Sequence, residues 1–197
     1  SESLEALTAV RQFEEQIDDK AAFARLNNEE KEELLQKLES EKGQVKWKMD
    51  IGNLAINLLH FMSKDVVAPF MRPELVERVA AMLNDLLTKL VGPKCRSIKV
   101  KEPQKLNFKP RDLLSWIAEI YVHFSANDEF INAVAADGRS YSADLFERAT
   151  NILRRERLVS VPDLEVFAAM NAKFAAAASA GVEDDELFAD PPDDFLD

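Results

Sequence analysis

The sequence predicts an all-α fold. Apolar residues recur three and four positions apart through most of the chain, as in amphipathic helices, and the alternation typical of strands is nearly absent. Only 5 of the 197 residues are glycine, which disfavours turn-rich β folds and phosphate-binding loops. Paired helices of about fifteen residues with short connections are typical of an irregular bundle or of an α-solenoid. We predict an α-solenoid slice, an irregular armadillo-like helical repeat of roughly seven to eight helices.

The first helices are indicated by apolar stripes and by one capping pattern. A single stripe begins at Leu4 and ends at Ile17. Asn27 and Glu30 have the spacing of a capping box and predict the start of a second, highly charged helix. A wide apolar face follows, and we expect a neighbouring element to bury it. That face consists of Ile51, Leu54, Ala55, Leu58, Leu59 and Met62.

Proline and glycine mark the next boundaries. Pro73 predicts a turn before a helix that begins at Glu74. Gly92, followed by Pro93, predicts the end of that helix, with the glycine in a left-handed conformation. Residues 94–110 have no helical period, and we expect them to form a long ordered loop.

Four more helices are predicted downstream. Asn127, Ser142 and Ser160 are candidate N-caps for the last three of them. Gly181 predicts the end of the last helix. We therefore divide the chain into a helical core, residues 1–180, and an acidic linker, residues 181–197.

The charge is unevenly distributed along the chain. The formal net charge is −11, yet residues 94–111, which we name the basic segment, hold seven basic residues and one acidic residue. The last fifteen residues hold eight acidic residues and no basic one, which disfavours binding to nucleic acid or anionic lipid. The basic segment has three open interpretations: phosphate or RNA binding, contact with an acidic protein surface, or simple solvation. Its candidate partner-binding residues are Lys94, Arg96, Lys99, Lys101, Lys105 and Lys109.

No pattern in the sequence indicates catalysis. His60 and His123 lie singly among large apolar residues, whereas a zinc site needs three or four ligands around one point. The one cysteine, Cys95, excludes an internal disulfide and is typical of a reducing compartment. Motifs for nucleotide phosphates or for a nucleophilic serine do not occur. We expect no catalytic residue, no metal and no cofactor.

Several strings, in their order and spacing, resemble the ubiquitin conjugation factors of the E-four class, which are U-box ligases that elongate ubiquitin chains. The strings are clearest between residues 51 and 157, and examples are Arg72-Pro73-Glu74-Leu75 and Gly92-Pro93-Lys94-Cys95. The motif residues, which we expect to be structural, are Pro69, Phe70, Arg72, Pro73, Glu74, Leu75, Gly92, Pro93, Cys95, Gly138, Arg139 and Tyr141.

The resemblance implies the C-terminal part of an armadillo-like core that acts as a non-catalytic scaffold in ubiquitin-dependent degradation. It implies that residues 181–197 lead to a U-box, absent from this chain, which recruits the ubiquitin-conjugating enzyme. The implied partners are proteins, namely a AAA segregase ATPase and ubiquitin-pathway factors, in the cytoplasm and nucleus. Two other classes stay open: a general helical adaptor unrelated to ubiquitin, and a nucleic-acid-binding module that uses residues 94–111.

Overall fold

The computed structural model describes residues 2–187, except for the side chains of Lys94 and of residues 180–187. Those residues form eight α-helices and three short 3₁₀ helices. The α-helices are α1 (Glu2–Asp18), α2 (Lys20–Arg25), α3 (Asn28–Asp65), α4 (Pro73–Val91), α5 (Pro110–Phe124), α6 (Asp128–Ala136), α7 (Ala143–Glu156) and α8 (Val161–Leu187). The 3₁₀ helices are Ala68–Met71, Pro93–Ile98 and Pro103–Leu106. The all-α prediction is confirmed, and the finer armadillo-like assignment stays a prediction.

Helix α3 joins two parts of the sequence pattern in one continuous helix of 38 residues. Its predicted capping box is confirmed: Asn27 Oδ1 accepts the N–H of Glu30 at 2.9 Å, and the Glu30 carboxylate accepts the N–H of Asn27 at 2.8 Å. The helix is about 57 Å long. Both α1 and α5 pack on it, so α3 connects the N-terminal helices to the rest of the fold.

The C-terminal half is organised around α4 and α8, each of which contacts α5, α6 and α7. Aromatic rings fill the space between these helices. The ring centroid of Tyr121 lies 5.3 Å from that of Phe146 and 5.6 Å from that of Phe130, and Phe146 lies 4.9 Å from Phe174. These rings are fully buried and belong to the same core cluster as the buried residues of α1 and α3.

Two of the expected helix boundaries differ from the structure. Ser142 caps α7 as predicted, because its Oγ accepts the N–H of Leu145 at 3.2 Å, whereas the Asn127 side chain makes no capping hydrogen bond to α6. Helix α8 continues through Gly181 to Leu187, the last residue that the structure describes. The remainder of the predicted linker, residues 188–197, lies outside the described residues. Across residues 2–187, every helix is too short or too polar to traverse a bilayer.

The expectation that a neighbour buries the apolar face of residues 51–62 is wrong for most of that face in the described chain, since Leu59 alone among its six residues packs partly against the core. Leu54 is 70% exposed and Leu58 is 54% exposed, and Met62 is also exposed. The opposite side of α3, which includes Met49 and Ile56, is buried in the core instead. Sequence spacing finds both apolar sides of a helix but does not say which one meets the core.

The predicted left-handed conformation of Gly92 is also wrong, since its φ is −75° and its ψ is −178°. Glycine is required here for a different reason. A Cβ atom at this position would lie 2.4 Å from the carbonyl oxygen of Thr88, which accepts the Gly92 N–H at 2.9 Å. A side chain at this position therefore fits only if the backbone at the end of α4 shifts.

Replacing Gly92 by alanine should lower the free energy of unfolding by about 2–4 kcal/mol, because the backbone must move to remove the clash. Urea unfolding followed by circular dichroism measures this change. Gly138→Ala is the matched control, since its added Cβ meets no atom within 4 Å, and we expect a change below about 0.5 kcal/mol. Equal losses in the two variants would contradict the clash.

Candidate partner-binding surface

The basic segment is fixed to the helices by apolar side chains. The 3₁₀ helices Pro93–Ile98 and Pro103–Leu106 define its course. Because its apolar side chains are in the core, the segment is an ordered part of the fold, as the sequence predicts. The buried side chains are Ile98, Val100, Leu106 and Phe108.

A buried carboxylate on α1 holds the middle of the segment. Glu14 is only 4% exposed, and its two carboxylate oxygens lie 3.0 and 3.3 Å from the backbone nitrogen of Lys101, whose N–H they accept. The Nζ of Lys101 forms an ion pair at 2.5 Å with Asp18, which lies on α1 like Glu14. Nothing in the sequence distinguishes Glu14 from the other acidic residues of α1.

A second attachment joins the end of the segment to α3. Asn107 has a left-handed backbone, with φ of 54°, and its side-chain amide donates to Asp50 Oδ1 at 2.6 Å. Its carbonyl oxygen accepts a hydrogen bond from Asn53 Nδ2 at 2.8 Å. Asparagine tolerates the left-handed region better than most residues, so this residue both turns the chain and anchors it.

The six candidate lysines and arginines are not equivalent. Lys101 pairs with Asp18, and Lys105 pairs with Glu102 at 2.6 Å. The hydrogen bond from Lys105 lowers the pKa of Glu102, and the same bond raises the pKa of Lys105. Among these six candidates, Arg96, Lys99 and Lys109 are exposed and form no ion pair within the described part of the chain. The side chain of Lys94 lies outside the described residues. Partner binding by these residues stays a prediction.

A buried polar network connects α4 to α5 and to the turn after α6. Asn84 is fully buried, and its Oδ1 accepts the hydroxyl hydrogen of Tyr121 at 2.6 Å. Its Nδ2 donates to Asp137 Oδ2 at 3.0 Å and to the carbonyl oxygen of Val134 at 3.3 Å. Burial, with a smaller contribution from Asp137, raises the pKa of Tyr121 well above its usual value, so the hydroxyl stays protonated.

The two histidines lie together between α3 and α5. Their rings stack with centroids 5.6 Å apart, and His60 Nε2 lies 2.5 Å from Glu119 Oε2. The hydroxyl of buried Ser63 donates to the carbonyl oxygen of His60 at 3.0 Å and lies 2.8 Å from His123 Nδ1. Which of these two groups donates depends on the tautomer of the His123 ring. Burial, followed by the nearby His60, lowers the pKa of His123.

The lowered pKa predicts that acid destabilises the α3–α5 contact. The unfolded chain binds a proton at His123 near the ordinary pKa of 6.5, whereas the folded chain binds it only at lower pH. The stabilisation is therefore complete above pH 6.5 and is lost as pH falls from 6.5 towards the folded-state pKa. Glu119 and Asp163 oppose the shift and Lys64 adds to it, so we expect a modest effect.

His123→Gln should remove this part of the pH dependence. We expect the difference in free energy of unfolding between the original chain and the variant to shrink as pH falls from 7.5 to 5.5. Urea unfolding at a series of pH values measures it, and comparison with the variant cancels contributions from the carboxylates. A difference that is constant across this range would contradict the assignment.

Comparison with known proteins identifies the family of this chain. The family model described as the ubiquitin elongating factor core matches residues 1–175. The chain belongs to this family. It is 38% identical over its whole length to E4 ubiquitin-protein ligase UFD2 of Saccharomyces cerevisiae, covering 21% of that protein. It is 34% identical over its whole length to the probable ubiquitin conjugation factor E4 of Arabidopsis thaliana, covering 19% of it. The chain thus spans about a fifth of the length of these relatives.

In this ubiquitin elongating factor core, the motif residues lie at corners between helices. Pro73 is the first residue of α4, and Gly92 and Pro93 follow its last residue. The ring of Phe70 lies 5.7 Å from that of Phe124. These positions suit a structural role, which stays a prediction.

The turn between α6 and α7 contains the remaining motif string, residues 137–142. Thr88 Oγ1 donates to the carbonyl oxygen of Ser140 at 3.1 Å, and the ring of Tyr141 lies 5.7 Å from Phe146. The turn is therefore joined to both α4 and α7. The other motif residues in these corners are Pro69, Arg72, Glu74, Leu75, Cys95, Gly138 and Arg139.

Proposed function

We propose that this chain is a non-catalytic scaffold segment of a U-box ubiquitin ligase that elongates ubiquitin chains in protein degradation. The observation that carries the proposal is family membership over residues 1–175. The relatives are named as ubiquitin ligases or conjugation factors and are about five times longer than this chain. We therefore assign ubiquitin transfer to a U-box that follows the remainder of the predicted linker, residues 188–197.

The proposed mechanism is positioning. One continuous core cluster extends from α1 to α8, so the described helices form one packed unit. Such a unit keeps a bound partner at a fixed distance from the U-box and raises its effective concentration for successive ubiquitin transfers. The proposed partners are a AAA segregase ATPase and other ubiquitin-pathway proteins, with the conjugating enzyme bound by the U-box. We propose the cytoplasm and nucleus as its location.

The basic segment is the surface that we propose for contact with an acidic protein partner. Arg96, Lys99 and Lys109 are exposed on a backbone that buried side chains hold in place. Phe108, the aromatic residue of the segment, is buried and is not available to stack on a base. This arrangement favours a protein partner over a single-stranded nucleic acid.

Reversing the three exposed charges should weaken partner binding without unfolding the chain. We expect Arg96→Glu, Lys99→Glu and Lys109→Glu together to raise the Kd for the AAA segregase by about 10-fold or more, measured by titration at low salt. Lys101 is left unchanged because it pairs with Asp18.

A matched control changes the net charge equally at exposed positions on α4 and α7. It combines Arg78→Glu, Arg148→Glu and Arg154→Glu. Equal weakening by the two triple variants would indicate a general charge effect, and unchanged binding by both would remove the basic segment from the contact.

The functional proposal is tested by ubiquitin chain growth in a reconstituted reaction with a conjugating enzyme. We expect no growth with the 197-residue chain and processive growth with a longer chain that includes the U-box. Growth with the 197 residues alone, or no growth with the longer chain, would overturn the proposal.

A further inference from the structure

Helix α3 has a second apolar side that no described residue covers. Its exposed residues follow intervals of four, three, four and three, which places them on one side of the helix over about 21 Å. We name them the α3 stripe: Trp47 (65% exposed), Ile51 (49%), Leu54 (70%), Leu58 (54%) and Phe61 (72%).

The stripe lies opposite the side of α3 that enters the core. At about 100° per residue, Val45, Met49 and Ile56 are turned about 180° from the centre of the stripe. Those three residues are buried. A helix that is apolar on two opposite sides is typical of a position between two layers, and the described chain supplies only one layer.

Charge along α3 supports the same conclusion. Residues 51–62 contain no Asp, Glu, Lys or Arg, although these four types make up 31% of the chain. The first half of the helix, which is solvated on most sides, is rich in Glu and Lys. A helix with one side in water can carry charged residues on that side, whereas a helix that is buried on two opposite sides cannot.

We propose that the α3 stripe is the seam on which the rest of the family's core packs, through an amphipathic helix with apolar residues at the same spacing. The intervals of three and four fit a helix crossing at about 20°, with side chains interlocking. The relatives supply the chain for this helix, since about four-fifths of their length lies outside the region matched here. The inference rests on family membership and not on the scaffold function.

The stripe is a poor site for a charged partner. Among the residues that flank it, Lys48 and Asp50 have opposite charges, and Asp50 already accepts a hydrogen bond from Asn107. Affinity must therefore come from apolar burial, and a covalently continuous helix needs no long-range charge attraction to find its place. A second copy of this chain is the competing occupant, with Leu54 facing its counterpart in an antiparallel pair.

Thiol labelling tests the seam. In a Cys95→Ser background, Leu54→Cys reports on the stripe and Glu147→Cys, on the exposed side of α7, is the matched control. Both are compared in the 197-residue chain and in a longer chain that includes the rest of the core. Leu58→Cys replaces Leu54→Cys if the latter does not fold, as judged by circular dichroism.

We expect the two thiols to react at similar rates in dilute 197-residue chain. In the longer chain, we expect the thiol at position 54 to react at least about 100-fold more slowly than the control, at any protein concentration. Similar rates in the longer chain would overturn the proposal. Protection that rises with protein concentration in the longer chain, with a dimer in sedimentation, would also overturn it and assign the stripe to a second copy. Labelling does not depend on ubiquitin transfer, so its failure is distinct from failure of the proposed function.

Discussion

Replacing Phe146 by alanine should lower the free energy of unfolding of the 197-residue chain by about 3–5 kcal/mol. The side chain is fully buried, and its ring packs against those of Tyr121, Phe167 and Phe174 at centroid distances of 5.3, 5.6 and 4.9 Å. Alanine leaves a cavity between α5, α7 and α8, because the rings around it are held by their own helices and close the space only in part.

Phe61→Ala is the control for this prediction. The same atoms are removed, but Phe61 is 72% exposed, so we expect a change of less than about 0.5 kcal/mol. Urea unfolding followed by circular dichroism measures both variants. A small loss for Phe146→Ala, similar to that of Phe61→Ala, would show that the aromatic cluster is not the centre of the core.

Replacing Asn84 by leucine should cost about 3–5 kcal/mol of unfolding free energy. Leucine is similar in size but offers no polar atom. The fully buried hydroxyl of Tyr121 loses its hydrogen-bond partner, and the half-buried carboxylate of Asp137 loses one of its two donors and keeps the N–H of Arg139. An unpaired buried polar group costs more than a hydrogen bond contributes, so the penalty exceeds that of a simple truncation.

Asn132→Leu, at an exposed position on α6, is the matched control, and we expect a change of less than about 0.5 kcal/mol. Tyr121→Phe completes the test, since it removes one member of the same hydrogen bond. If the network is real, the losses from Asn84→Leu and Tyr121→Phe are not additive in the double variant. Additive losses, or a loss below about 1 kcal/mol for Asn84→Leu, would contradict the network.

Local features of this fold are readable from the sequence because they depend on residues close together in the chain. The capping box at Asn27 and the cap at Ser142 are examples, since each joins groups three residues apart. The apolar side of α3 at residues 51–62 is readable as well. Its neighbour is not, because spacing within one helix carries no information on what lies across from it.

Long-range contacts explain what sequence reasoning missed in the candidate site. Glu14 accepts a hydrogen bond from Lys101, which is 87 positions away in the chain. Asn107 is hydrogen-bonded to Asp50 and Asn53 of α3, which are 57 and 54 positions away. Neither residue differs in type from its many exposed counterparts. The sequence also gives the wrong reason for Gly92. Glycine is required there because the Thr88 carbonyl lies close to it, and not because the chain makes a left-handed turn. Lys101 differs from Lys99 because it forms an ion pair with Asp18, and this pair is known only once the fold is known.

The positioning role is tested most directly by replacing this segment within a longer chain that carries the U-box. A flexible Gly-Ser linker of the same length substitutes for residues 1–180, and the rate of ubiquitin chain elongation on a ubiquitin-fused substrate is measured. We expect the U-box still to discharge the conjugating enzyme, while elongation on the substrate falls by about 10-fold or more because the fixed distance is lost. Elongation at an unchanged rate would contradict the positioning role.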